Sequence, residues 1–351
     1  MRAARPIAAG LACALLVATS GCGRQRISRG DLPEALVAIH YRTPEQARLN
    51  AEVQEAAAQA EARRGGRSRA VGAGAGVAHT DDLGALLGGV LGATPETQRP
   101  QSGRLALLDP RTGEVSVVGA ALRGSIPLAW SADRQRLLFA QPDTTGVQIW
   151  EYRRGAETVR PVTRGPLVHT QGCYGPDGRI VAVEVDVRAK PRRSWVALSA
   201  EGGRGPFARI SEGPNDHSPA CSQRSGAVAY VRDAEPGHPQ VWLARLASAS
   251  PHHLLAPGRQ PQFSPAGDWL VFVAPLRDMG RLWRMRPDGT ARAPIGRGAR
   301  EESHPAVSPD GRFVAFVAAE QAFRRQLYLR RFDGSGDRIL FADGDADYPV
   351  W

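Results

Sequence analysis

Three histidines and a tyrosine, His169, His217, His304 and Tyr348, stand at or just before the start of short apolar runs, with Asp216 and Gln260 close by in register. Brought to one rim, their imidazole, phenol, carboxylate and amide groups would form a polar ring able to hydrogen-bond a partner. Left on separate turns, they are solvated loop residues. A metal would need three or more ligands converging at about 2.0–2.2 Å, which these histidines achieve only across a narrow opening, and none is assigned. Asp343, Asp345 and Asp347 alternate like the hard oxygen donors of calcium loops, but no glutamate follows at the required spacing, and an acidic turn accounts for them. There is no Gly-x-Ser-x-Gly elbow, and no nucleophile–base set or carboxylate pair stands out. The expectation is therefore a non-catalytic protein without a cofactor.

The elements that would position these groups come from a repeat. Ser308-Pro309-Asp310-Gly311 has the residue preferences of a type I turn, and it aligns without gaps over Ser264-Pro265-Ala266-Gly267, Ser222-Gln223-Arg224-Ser225, Gly175-Pro176-Asp177-Gly178 and Ser131-Ala132-Asp133-Arg134. The residue before each turn is Val307, Phe263, Cys221, Tyr174 and Trp130, and Trp351 holds that place in a sixth, cut-off copy. Successive steps along these anchors are 44, 47, 42, 44 and 44 residues. Each unit contains four strand-sized segments, with Phe139, Val183, Tyr230, Phe272 and Phe316 on the second and Trp150, Trp195, Trp242, Trp283 and Tyr328 on the third. An aromatic at one fixed place per repeat fills the wedge between sheets. Four strands in about 44 residues predict an all-β, six-bladed β-propeller over residues 101–351, whose first strands line a central channel. Arg104–Asp109 and Glu114–Gly119 supply the third and fourth strands of a closing blade, and Tyr348–Trp351 its first. No second strand is evident, so that blade has three strands or borrows one from residues 86–94.

These repeats resemble the TolB-type propeller family, whose units read roughly Pro-x-Trp-Ser-Pro-Asp-Gly, and Pro219, Pro261, Pro305 and Pro349 hold that proline. The resemblance covers residues 103–351 and implies binding at a channel mouth, with His169, Asp216, His217, Gln260, His304 and Tyr348 as the rim. The family's namesake carries an α/β domain before its propeller, whereas residues 23–100 here read as helical and low in complexity. The chain is thus expected to be a relative that keeps the propeller.

Residues 1–21 read as a signal peptide, with Arg2 and Arg5 before an apolar run at 7–18. Ser20-Gly21-Cys22 looks like a bacterial lipoprotein cleavage site, although Thr19 stands where an aliphatic residue is usual. Cys22 would then be the lipidated first residue, on a tether at 22–30, and Gly23 resembles lipoproteins directed to the outer membrane. Residues 31–64 are expected to be helical: Asp31 as a cap with Leu32, Leu36 and Ile39 on one face, then a second helix from Thr43-Pro44-Glu45 to Arg63. Residues 65–100 read as a flexible linker rich in glycine and alanine. Cys173 and Cys221 remain as a disulfide or as two buried thiols, the oxidising periplasm permitting a bridge.

A formal charge of +10 comes almost wholly from arginine, since Lys190 is the only lysine. The arginines are scattered in pairs without a long basic run or a nucleic-acid-reading motif, so nucleic acid is not an expected partner. The reading is an envelope lipoprotein, anchored to the membrane through lipid on the periplasmic face of the outer membrane. Its propeller would bind an envelope protein or peptidoglycan-associated partner. The alternative is a small-ligand or catalytic propeller working at the channel mouth.

Overall fold

The computed structural model describes residues 27–64 and 103–351, apart from short gaps at 120–121, 144–145, 157, 201–204, 236, 247–251, 277–278, 297–299, 322–323 and 342. The signal peptide, Cys22 and the 65–100 linker lie outside the described residues. Six four-stranded antiparallel sheets form six blades. Their inner strands are Ile126–Trp130, Val168–Tyr174, Asp216–Cys221, Arg259–Phe263, Glu301–Val307 and Asp345–Val350. Blades 1 to 5 each take their four strands consecutively from the chain. The closing blade is ordered Asp345–Val350, Val37–Arg42, Arg104–Leu108, Val115–Val117.

The closing blade corrects one expectation. Residues 31–42 are not a helix: one 3-10 turn at Arg29–Asp31 precedes a strand, Val37–Arg42, which is the missing second strand. It pairs with Asp345–Val350 on one side and with Arg104–Leu108 on the other. Val37, Ile39 and Tyr41 favour strand over helix. Because Val37 to His40 are all buried, the run is apolar on both faces, and periodicity cannot separate such a strand from a helix. The second helix does form, over Pro44–Arg64. Thr43 caps it, its hydroxyl accepting from Gln46 N–H at 3.3 Å while Gln46 Oε1 accepts from Thr43 N–H at 3.0 Å.

The repeated turns close as their residues dictate. Gly311 N–H donates to Ser308 C=O at 2.8 Å, with Gly311 at φ +71°, and Ser308 Oγ accepts from Phe313 N–H at 2.9 Å. Ser264 and Ser131 repeat that hydroxyl contact with Trp269 and Arg136. Between blades the aromatic positions are core: Phe139, Tyr230, Phe272 and Phe316 are buried, each opposite the third-strand aromatic of its blade. Phe316 and Val314 of blade 5 pack on Val271 and Leu282 of blade 4, so each hydrophobic cluster spans two sheets. A blade alone would leave that face in water.

Candidate functional site

Proline shapes the channel. In every blade the pairing of the inner strand slips, as between Arg259 and Gln262 or Ser303 and Ala306. Ser218, Gln260, His304 and Tyr348, each directly before a proline, sit at φ 49°, 53°, 49° and 51°. Proline donates no ladder hydrogen bond and drives its predecessor out of the α region. Left-handed backbone in a non-glycine residue costs on the order of 1–3 kcal/mol and persists only where the surroundings hold it. The four outliers recur at one place in the repeat, and the bulge there turns a side chain toward the axis.

The resulting constriction, about 90 Å³, is lined by Gln171, Ser218, Gln260, His304 and Tyr348 together with the prolines. Neighbouring blades are stitched across it. Gln260 Oε1 accepts from the His304 N–H at 2.8 Å, and Gln171 Oε1 from the Ser218 N–H at 2.6 Å. Gln260 Nε2 lies 3.1 Å from His304 Nε2, and His304 Nδ1 is 3.2 Å from Ser303 Oγ and 3.4 Å from Asp347 Oδ1. The Tyr348 ring lies 4.4 Å from that of His304. Burial alone would raise the Asp347 pKa, but the charges of Arg325, His304 and Arg42 and the 2.6 Å hydrogen bond from Arg325 hold it well below the usual carboxylate range.

Of the six expected rim residues, Gln260, His304 and Tyr348 meet at this constriction. His169, Asp216 and His217 do not line it. Asp216, fully buried, takes two hydrogen bonds from Arg232 at 2.7 and 3.0 Å and one from Gly213 N–H. His217 bridges Asp233 and Ser218, both at 2.9 Å. His169 packs between Gln148, Glu184 and Phe207. Gln171 and Ser218 were missed. Their signal was register: each stands three places before its anchor, as Gln260, His304 and Tyr348 do, whereas His169 and Asp216 stand five places before theirs. No cluster of metal-ligating side chains occurs among the described residues.

On the other face the channel widens to a funnel of about 500 Å³ walled by Trp130, Phe263 and Trp351. Cys173 and Cys221, whose alternative was two thiols, form a disulfide there with a Cα–Cα distance of 5.7 Å, tying the inner strands of blades 2 and 3. The segment 27–36 lies on this funnel face. Arg338 holds the Ile27 carbonyl, Arg312 that of Asp31, Arg134 that of Leu36 and Trp351 that of Ala35. The helix Pro44–Arg64 starts from the opposite face, beside Arg325, Asp343 and Asp345.

No family model matches the chain, and no curated protein matches it by sequence. Solved structures do. TolB from Acinetobacter baumannii superposes with a TM-score of 0.60 at 17% identity, covering 71% of this chain and 62% of that one. The fold is that of a TolB-type propeller. A protein described as TolB from Agrobacterium tumefaciens gives 0.58 at 20% identity, with 67% and 86% covered, and Kuenenia stuttgartiensis hydrazine synthase gives 0.58 at 14%, with 71% and 43%. The chain thus spans less than two thirds of the Acinetobacter TolB. Since one of these matches bears an enzyme's name, the TolB-type fold does not by itself decide between binding and catalysis.

Proposed function

We propose that this chain is a bacterial envelope protein, exported by its signal peptide and lipidated at Cys22, whose propeller is a non-catalytic docking platform. Its partner is an envelope protein or a peptidoglycan-associated one, and it seats on the mouth formed by Gln260, His304 and Tyr348. The observation that carries the reading is the run of left-handed, proline-backed residues, which spends backbone strain to aim side chains at the axis. That mouth also lies on the face opposite the tether-proximal segment and beside the helix Pro44–Arg64, so a lipid anchor would leave it open to the periplasm.

The alternative, a small-ligand or catalytic channel, draws on the His304–Asp347 pair, with Nδ1 3.4 Å from Oδ1 in the arrangement a general base requires. A constriction of about 90 Å³ argues against it, since pockets for small molecules run from about 300 Å³ upward.

The test is affinity purification from crosslinked envelopes, comparing the native protein with Cys22→Ser and with the triple variant Gln260→Ala, His304→Ala, Tyr348→Ala. Cys22→Ser should leave the membrane fraction. The triple variant should stay there and lose its partner. Retention of Cys22→Ser on the membrane with an unchanged partner set would sink the anchor, and an unchanged partner set for the triple variant would sink the platform.

A further inference from the structure

We propose that the funnel face rests on anionic phospholipid, gripping headgroup phosphates in an arginine-lined cleft between the closing blade and blade 1. The choice of a membrane as occupant rests on the lipidation reading above; the anion chemistry of the cleft does not.

The cleft, about 520 Å³, is lined by Arg29, Arg111 and Arg154 beside Glu34 and Asp109. Both carboxylates are engaged. Glu34 pairs with Arg111, and Asp109 Oδ1 turns back into its own loop to accept from the N–H groups of Arg111 at 2.7 Å and Thr112 at 3.3 Å. Among the described residues Arg29 reaches the carbonyl of Thr112, and neither Arg29 nor Arg154 makes an ion pair. Arg134, at the same edge, has the Leu36 carbonyl and the Trp130 ring as neighbours and, among the described residues, no carboxylate paired with it. Burial and the charge of Arg154 push its pKa down to about 10, while burial and Arg29 lower that of Arg338. Like charges, Arg134 and Arg154, are thus crowded at one edge of the cleft, and an anion there relieves the crowding. Guanidinium forks match phosphate oxygens in geometry as well as charge.

Chain length selects the source of that phosphate. Cys22 lies five residues before Ile27, and an extended chain covers at most about 3.6 Å per residue, so the reach is at most about 18 Å. Ile27 is buried and its carbonyl is tied to Arg338, which fixes the point of departure on this face. An acyl anchor at Cys22 would therefore hold the cleft within about a headgroup layer of the bilayer, where each basic residue adds about 1 kcal/mol of attraction to anionic lipid.

The experiment titrates dihexanoylphosphatidylglycerol, dihexanoylphosphatidylcholine and inorganic phosphate, below micelle-forming concentrations, into the full chain carrying Cys22→Ser, which removes the anchor from the measurement. The glycerol lipid should bind at least tenfold tighter than the choline lipid. Arg29→Ala and Arg154→Ala should each weaken it roughly fivefold, the equivalent of about 1 kcal/mol, while Arg154→Lys, which keeps the charge and loses the fork, falls between. Both residues are exposed, so melting temperature should not move. Equal binding of the two lipids, binding unaffected by either alanine, or inorganic phosphate binding as well as the lipid would each overturn the proposal. Fractionation of Cys22→Ser reads the anchor separately, so either idea can fall alone.

Discussion

Two buried side chains make the residue scale testable. His40 lies in the closing blade with Nδ1 2.7 Å from the Ser125 carbonyl, and its ring fills the space where a Cβ on Gly103 would go. Burial, reinforced by Arg42, lowers its pKa from 6.5 to about 4. The folded state therefore favours neutral His40. Its contribution is complete above the unfolded value near 6.5 and is lost as pH falls from there toward 4, by up to about 3 kcal/mol. Urea midpoints should fall between pH 7 and pH 4.5, and the slope should flatten in His40→Asn; an identical slope in the variant would assign the effect elsewhere. Arg330 is the second case. Its guanidinium donates to Glu302 and Asp337 at 2.6 Å and to the Ile295 carbonyl at 2.7 Å, over the Phe316 ring. Burial opposes its charge, but the two carboxylates hold its pKa above the ordinary arginine value. Arg330→Ala would leave Glu302 in the interior with Arg281 at 3.9 Å as its remaining counter-charge and should cost about 3 kcal/mol, read as a drop in the denaturation midpoint.

At the scale of elements, what could be read in the sequence depended on what repeats. Blades 1 to 5 were legible because turn residues and wedge aromatics return at fixed spacing, so every copy checks the others. Val37–Arg42 has no copy to check against; it stands apart from its own blade in sequence, and its two-faced burial erased the alternation that marks a strand. The rim was half-legible for a related reason. Polar residue type was the guide, yet the axis is reached only by the position that the bulge rotates, and His169 and Asp216 are polar for internal pairing. Because Val37–Arg42 is paired on both edges, Ile39→Pro removes a donor from a central strand. It should abolish the single cooperative transition, whereas Ala51→Pro in the helix should leave that transition in place; two similar melts would show the strand to be dispensable. The Cys173–Cys221 bridge closes a 48-residue separation, and Cys221→Ala should cost about 2–4 kcal/mol in a comparison of denaturant midpoints.

At the scale of the whole molecule, the two ends of the channel are unlike. One is narrow, polar and strained, with a helix beside it; the other is a wide funnel with residues 27–36 on its face. An anchor near residue 22 would give the ring a fixed orientation and make its faces chemically distinct, one toward lipid and one toward a partner. The closing blade adds a temporal consequence. Its sheet is assembled from three stretches far apart in the chain, and Asp345–Val350 completes it from inside. During synthesis, the early strand Val37–Arg42 must wait for almost the entire polypeptide to be made before its second neighbour exists. A half-made chain is therefore an open fan with two sticky margins, and the ring closes only when the last strand is delivered.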